Sequence, residues 1–149
     1  MYKHILIATD GSELAQKGVD HGLSLAKSLG GKVTVITVTE PFPIYGMAGN
    51  FAWVASPADI ESYNASSKEF AGKVLGAAKE AADRMGVPVE TLHADDNTPA
   101  EAILATAEAK DCSLIVMASH GRRGLNRILL GSQTLEVVTN GKVPVLVIK

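Results

Sequence analysis

Near the start of the chain lies the stretch Ile5-Leu6-Ile7-Ala8-Thr9-Asp10-Gly11-Ser12, in which a short apolar run is followed by four small or polar residues. A short run rich in branched aliphatic side chains is typical of a buried strand. The glycine that follows lets the backbone turn tightly. This stretch therefore predicts a buried strand that turns sharply into a helix.

Working outward from this turn, strand-like and helix-like segments alternate along the chain. Apolar residues at helical spacing predict a helix from Glu13 to Leu29, which Gly30-Gly31 ends. The next strand is predicted at Val33–Val38. The later predicted elements are a helix from about Ala58 to Met85, a strand at Val87–His93, a helix from Pro99 to about Lys110, a strand at Leu114–Met117, a helix after Ser132 and a strand at Val143–Ile148.

The third helix has a strong start signal. Thr98 is the expected N-cap, Pro99 is suited to the first helical position, and Glu101 is placed to close a capping box. We therefore expect the Thr98 side chain to bond to the backbone of the first turn.

Strands that alternate with helices at this spacing imply right-handed crossovers and a mostly parallel sheet. The strand at Leu114–Met117 is apolar throughout, so both of its faces should be covered by helices. We predict an α/β fold with three layers, α/β/α, around an open five-stranded sheet. The length of 149 residues fits one domain, residues 1–149.

Composition narrows the classes of function. The net charge is −2, with both signs interspersed, which argues against a general nucleic-acid binder. The chain has no apolar run of the ~18 residues that would span a bilayer, and its first residues lack the features of a secretory signal. A single cysteine, Cys112, is compatible with a reducing compartment and is interpreted as a small buried hydrophobe. We therefore expect a cytoplasmic protein.

The one long irregular stretch runs from Thr39 to Pro57. It holds four of the aromatic residues, namely Phe42, Tyr45, Phe51 and Trp53. Long loops in compact domains often carry function, so a lid or partner-contact segment is one interpretation. The other is a loop that packs its aromatic rings onto the edge of the sheet, and the sequence leaves both open.

Two predicted strand ends have the chemistry of a ligand site. In open parallel sheets, ligands bind beyond the carboxyl ends of the strands. One strand ends at Asp10, and another ends at Ala118 and leads into a loop that reaches Gly131-Ser132. Glycines allow close backbone approach, and amides at a helix start favour phosphate oxygens. Arg122, Arg123 and Arg127 add cations, although a solvated basic loop would look the same.

Other nucleotide and catalytic motifs are absent from the sequence. It contains neither G-x-x-x-x-G-K-[ST] nor G-x-G-x-x-G. Asp10 could support Mg²⁺ or Mn²⁺ through phosphates, or cap the following helix. His120 could contact phosphate or act as an acid, or orient Ser119 or the backbone. His4, His21 and His93 lack the spacing of metal ligands.

With these residues in view, the sequence resembles the universal stress protein family, in particular its ATP-binding branch, over nearly the whole chain. The shared landmarks are Ala8-Thr9-Asp10-Gly11-Ser12, Val38, Thr98-Pro99-Ala100 and Val143–Val147. The family's loop pattern is glycine, two residues, glycine, nine residues, then glycine with Ser or Thr. Gly121, Gly131 and Ser132 match this pattern, whereas Ala118 replaces its first glycine.

The resemblance implies a Rossmann-like fold and an ATP site. It implies that Asp10 lies near the ribose or phosphates, that Val38 meets adenine through its backbone, and that His120 and Gly121 line the phosphate path. Gly131 and Ser132 would hold the terminal phosphates. The full set of expected nucleotide-binding residues is Thr9, Asp10, Val38, Ala118, His120, Gly121, Arg122, Gly131, Ser132, Gln133 and Thr134.

The resemblance also implies a homodimer through the last strand, Val143–Ile148, whose apolar edge would otherwise be open. The leading hypothesis is a dimeric ATP-binding regulatory protein with at most slow hydrolysis. A second hypothesis is a dimeric partner module without nucleotide, which Ala118 keeps open. A third is a metal-dependent nucleotide hydrolase that uses Asp10.

Overall fold

A computed structural model describes residues 1–43, 55–95, 97–121 and 130–149. In these residues five strands alternate with four helices along the chain. The strands are β1 (His4–Ala8), β2 (Lys32–Thr39), β3 (Val89–Asp95), β4 (Leu114–Ala118) and β5 (Val145–Ile148). The helices are α1 (Glu13–Leu29), α2 (Pro57–Met85), α3 (Pro99–Ala109) and α4 (Ser132–Asn140).

The strand order across the sheet is β3-β2-β1-β4-β5, and all four neighbouring pairs are parallel. The predicted α/β fold is confirmed, and the sheet is wholly rather than mostly parallel. The order reverses between β1 and β4, since the chain proceeds outward to β3 on one side and to β5 on the other. The last strand therefore lies at an edge, as predicted.

Two strands begin later than predicted, and both do so just after a proline. β3 starts at Val89 and extends to Asp95, and β5 starts at Val145. Pro88 and Pro144 have no amide hydrogen to donate, so each contributes only its carbonyl, to Val33 and Ile115 respectively. Val87 and Val143 thus pack against the apolar core although they lie outside the strands.

Helices α1 and α2 begin with side-chain caps and end at left-handed glycines. Ser12 caps α1 by accepting the amide of Ala15 at 3.2 Å. Gly30 ends that helix in the left-handed conformation, with φ of 61°. Ser56 and Asp59 form a reciprocal capping box at the start of α2, which the sequence analysis did not identify.

At the start of α3 the predicted capping box is wrong. Thr98 is the N-cap, but its side chain bonds to no backbone amide. Its hydroxyl instead donates to the Glu101 carboxylate at 2.7 Å, so both partners of the expected box are engaged with each other. The amide of Ala100 donates to Oε1 of Gln133 at 2.8 Å. A side chain from α4 therefore satisfies the start of α3.

The core consists of two apolar layers on the two faces of the sheet. Alternate residues of β1 point to opposite faces, with Ile5 and Ile7 in the layer under α1 and α2, and Leu6 in the layer under α3 and α4. Cys112 is 4% exposed in the second layer, which confirms its interpretation as a small buried hydrophobe. In the described residues, no helix is long and apolar enough to cross a bilayer.

Candidate functional site

A cleft of about 860 Å³ opens at the carboxyl ends of the strands, where the strand order reverses between β1 and β4. In open parallel sheets this crossover point is where the two neighbouring loops diverge and leave a crevice. The volume lies in the usual range of roughly 300–1,000 Å³ for small-molecule sites. The position agrees with the expectation drawn from the two strand ends.

The cleft brings together the predicted site residues that the structure describes. They come from the turn after β1, from β2, from β4 and the turn after it, and from the N-cap and first turn of α4. Those that line the cleft are Thr9, Asp10, Val38, Ala118, His120, Gly121, Gly131, Ser132, Gln133 and Thr134. Arg122 lies outside the described residues, as do Arg123 and Arg127.

The end of β1 is held by its own polar groups. Thr9 is buried; its amide donates to the carbonyl of Ile36 at 3.0 Å, and its carbonyl accepts the hydroxyl of Thr37 at 2.7 Å. Oδ1 of Asp10 accepts the amide of Ser12 at 3.0 Å. Because Ser12 is the cap of α1, the interpretation of Asp10 as the helix cap is wrong. Asp10 instead fixes the turn that precedes the helix.

Gly121 lies against Asp10 across the crevice. A Cβ atom added at Gly121 would sit 2.8 Å from Oδ2 of Asp10, a separation that real Cβ atoms do not show. The missing side chain thus lets the turn after β4 approach the end of β1. A larger residue would displace the Asp10 carboxylate.

The first turn of α4 supplies backbone donors at the opposite wall. Gly131 is the N-cap, and a Cβ there would lie 3.3 Å from Cα of His120. The first intrahelical bond runs from the amide of Leu135 to the carbonyl of Gly131. The amides of the three residues between them are those that an α-helix leaves without an intrahelical partner, and together with the helix dipole they favour an anion.

Two expected ligand residues also carry structural hydrogen bonds. The Thr134 hydroxyl donates to the carbonyl of Ala118 at 3.0 Å, which ties α4 to the end of β4. The side-chain carbonyl oxygen of Gln133 accepts the amide of Ala100, as described for the start of α3. Ala118 itself is 8% exposed, pairs with Ile148 of β5 and lines the cleft.

His120 has one partner among the described residues. Its Nδ1 lies 3.0 Å from the hydroxyl of Ser119, which is 6% exposed. The interpretation of His120 as a residue paired with Ser119 is therefore compatible with a ligand contact through the other ring nitrogen.

One wall of the cleft, formed by the first half of α2, was not predicted from the sequence. Tyr63, Ser66, Ser67 and Phe70 line it. Their spacing of three to four residues places them on one helix face, and this pattern was available in the sequence. The hydroxyl of Tyr63 donates to the carbonyl of Glu40 at 3.1 Å, which anchors this wall to the end of β2.

The aromatic stretch after β2 is described in part. The ring of Phe42 meets that of Tyr63 edge-on, with centroids 5.3 Å apart. Phe42 therefore packs onto α2 at the rim of the cleft. Tyr45, Phe51 and Trp53 lie outside the described residues.

The chemistry of the cleft suits an anion attached to an apolar group. Backbone donors and hydroxyls lie at the α4 side, whereas the half-buried side chains of Val38 and Phe70 give apolar surface nearby. In the described ranges, no group of three or more His, Cys, Asp or Glu side chains is arranged to hold a metal ion. A phosphate carried by an aromatic or aliphatic group fits this combination.

Sequence comparison identifies the family to which this architecture belongs. The family model for the universal stress protein family matches residues 1–149. The chain belongs to the universal stress protein family. Universal stress protein MJ0531 of Methanocaldococcus jannaschii is 35% identical over 149 residues, which is all of this chain and 83% of that protein.

Solved structures of other universal stress proteins share the fold. The structure of MJ0577 from the same organism superposes with a TM-score of 0.82 at 30% identity, covering 100% of this chain and 96% of that one. A universal stress protein of Archaeoglobus fulgidus, solved in complex with dAMP, has a TM-score of 0.67 at 20% identity, with 99% and 98% covered. The latter, more distant likeness concerns the fold alone.

Proposed function

We propose that this universal stress protein binds an adenine nucleotide, ATP in particular, in the cleft between β1 and β4. The observation that carries the proposal is the convergence on one cleft of ten residues expected to bind nucleotide, from four separate chain segments. A universal stress protein of the same fold has been solved in complex with dAMP, so this fold can hold an adenine nucleotide. Occupancy of the cleft would modulate the conformation or the partner choice of a regulatory protein.

In this proposal, the nucleotide spans the cleft from β2 to α4. The base lies by the backbone of Val38 and the nearby apolar surface, the ribose lies near Asp10, and the phosphates meet Gly121, Gly131 and Ser132. The physical support is strongest at the phosphate end, because Gly131 leaves room and the first-turn amides of α4 donate to anions.

A divalent cation, Mg²⁺ or Mn²⁺, would be held chiefly by the phosphates. Among the described cleft residues, the carboxylates are Asp10 and Glu40, and they follow different strands. Asp10 already accepts the amide of Ser12. Efficient hydrolysis also needs a residue that positions water, and we therefore propose at most slow turnover.

The test begins with the purified protein. It is denatured and removed, the supernatant is analysed for nucleotide, and ATP is then titrated against nucleotide-free protein by calorimetry. We expect ATP binding by the wild type and its loss in Gly121→Val, in which the new side chain meets Asp10. Gly72→Val is the matched control, since a Cβ at Gly72 meets nothing within 4 Å. No released nucleotide together with no titration would reject the proposal.

Ala118 favours one second candidate, a partner module that has lost nucleotide binding. The Ala118 methyl group adds to the cleft wall at the position where the family pattern has glycine. If it blocks the ligand, Ala118→Gly will gain ATP binding that the wild type lacks. If it is accommodated, the two proteins will bind ATP with similar affinity.

We propose further that the protein is a homodimer through β5. The carbonyls of Pro144 and Ile148 point toward β4, so by strand alternation the polar groups of Val145 and Val147 point outward from the edge. Leu146 is 37% exposed on the same strand. Light scattering should give a dimer mass for the wild type and a monomer mass for Val147→Pro, which removes an outward amide. A monomeric wild type at micromolar concentration would reject this proposal.

A further inference from the structure

Ser119 is held on three sides at the end of β4. Its amide donates to the carbonyl of Ile148 at 2.7 Å, and its carbonyl accepts the amide of Gly131 at 2.8 Å. Its hydroxyl lies 3.0 Å from Nδ1 of His120. Because the residue is also 6% exposed, its hydroxyl occupies a fixed, nearly dry position beside the ring.

The direction of the hydrogen bond between Ser119 and His120 follows from which acceptors the Ser119 hydroxyl can reach. If Nδ1 carried the proton and donated to the hydroxyl, the hydroxyl hydrogen would need a second acceptor. Among the described residues, His120 is the only side-chain or backbone partner of that hydroxyl. A buried donor without an acceptor is costly. The hydroxyl therefore donates to Nδ1, and the neutral ring carries its proton on Nε2.

We propose that Ser119 is a positioning residue that fixes the His120 ring with its Nε2–H group available as a donor to a phosphate oxygen in the cleft. His120 lines the cleft, and Gly131 at the start of α4 lies against the backbone of His120. The imidazole donor and the first-turn amides of α4 then face the same part of the cleft. Phosphate oxygens accept hydrogen bonds, so this nitrogen matches them. The proposal rests on the proposed nucleotide binding.

The tautomer also makes the contact independent of the charge state of the ring. Nε2 carries a proton in this neutral tautomer and in the imidazolium form alike. A ring fixed in the other tautomer would present a lone pair to the phosphate and repel it. Ser119 thus determines whether His120 attracts or repels the ligand when neutral.

The first measurement uses ligand-free protein labelled with ¹⁵N, at a pH where the histidines are neutral. The nitrogen chemical shifts of His120 report the tautomer. We expect Nε2–H to dominate in the wild type and a mixture in Ser119→Ala. A dominant Nδ1–H tautomer in the wild type would overturn the proposal whether or not any variant folds.

The second measurement compares ATP with adenosine, which lacks phosphates, by calorimetry. Ser119→Ala should weaken ATP binding by about two- to tenfold, from the loss of half of the donor tautomer to the loss of one hydrogen bond to a charged group. It should leave adenosine binding unchanged, and Ser119→Thr should restore ATP binding. Equal loss of both ligands would indicate a structural role and overturn the proposal, as would unchanged ATP binding in a folded Ser119→Ala.

A pair of substitutions at His120 serves where Ser119→Ala fails to fold. The side-chain amide of His120→Gln reaches the position of Nε2, whereas that of His120→Asn reaches the position of Nδ1. We expect Gln to keep most of the ATP affinity and Asn to lose it, and the reverse order would contradict the proposal. If the wild type binds no ATP, the proposed function and the phosphate contact both fail. The tautomer measurement still decides whether Ser119 fixes the tautomer of the His120 ring.

Discussion

At the amino ends of the strands the imidazole of His4 has a protein partner on each nitrogen, whereas at the carboxyl ends the imidazole of His120 has one described partner, on Nδ1. His4 lies 2.9 Å from the carbonyl of Lys110 and 2.8 Å from the hydroxyl of Thr34. His120 meets Ser119 and the cleft. The same side chain is thus saturated by the protein at one end of the sheet and left open to a ligand at the other. We therefore expect polar groups at the amino ends of the strands to stabilise the fold and those at the carboxyl ends to bind the ligand.

Removal of His4 should produce the largest effect that tests this separation. His4→Ala leaves the Thr34 hydroxyl and the Lys110 carbonyl without their partner and opens a cavity, so we expect the free energy of unfolding to fall by about 3 kcal/mol. ATP affinity should not change, because His4 lies at the other end of β1. Urea denaturation and calorimetry measure the two quantities.

The matched control is His21→Ala, which removes an exposed imidazole from α1. It should leave both stability and ATP affinity at the wild-type value. A loss of affinity in folded His4→Ala would contradict the separation of the two ends.

The second prediction concerns pH. Burial, followed by the nearby charge of Lys32, lowers the pKa of His4 in the folded protein. The unfolded chain therefore binds the proton more readily, and the free energy of unfolding falls as the pH drops through the ordinary histidine range near pH ~6.5. The contribution is fully present above that range and levels off below the lowered pKa.

One proton sets the ceiling of this effect at about 1.4 kcal/mol per pH unit. Urea denaturation over this range should show a steeper loss of stability in the wild type than in His4→Ala. Parallel curves for the two proteins would show that His4 does not carry the effect.

The third prediction tests Gln133. This residue lies at the carboxyl ends of the strands, in the cleft, but its side chain makes a hydrogen bond within the protein, as His4 does at the amino ends. Gln133→Ala removes the acceptor of the Ala100 amide and should lower the free energy of unfolding by about 1 kcal/mol. Gln133→Glu keeps an acceptor and adds negative charge at the start of α3, so it should preserve stability. Thermal denaturation distinguishes them. Weaker ATP binding with unchanged stability in Gln133→Ala would instead make Gln133 a ligand residue.

The smallest effect is expected from an exposed ion pair between the last turn of α3 and the segment that precedes β5. Lys142 lies 2.8 Å from Glu108, but both side chains are largely in water. Exposed pairs of this kind contribute little, because solvent screens them and ordering two long side chains costs entropy. Lys142→Met should leave the denaturation midpoint within error. A clear shift would show that the amino end of the sheet depends on surface charge as well as on buried hydrogen bonds.

The sequence predicted the fold because each strand is an apolar run bounded by turn residues. β1 and β4 were placed within a residue at each end. β3 and β5 were misplaced because apolarity marks burial and does not show which backbone groups pair next to Pro88 and Pro144. The partners of His4 could not be inferred, since Thr34 and Lys110 are 30 and 106 residues away in the chain.

The candidate site was predictable where it depends on local backbone chemistry. Gly121 and Gly131 were identifiable because glycine next to a strand or helix end permits close approach, and the structure shows such approaches at both. The wall formed by Tyr63 and Phe70 depends on where α2 packs, which is a tertiary property. The engagement of Gln133 with α3 is tertiary for the same reason.

The burial of Cys112 has a practical consequence for redox chemistry and labelling. It is the single cysteine of the chain, and burial raises the pKa of its thiol, so little thiolate is available to react with oxidants or alkylating reagents. A cysteine introduced at an exposed site would therefore react first. We therefore expect the folded protein to accept a single fluorescent or spin label at a chosen position without prior removal of its own thiol.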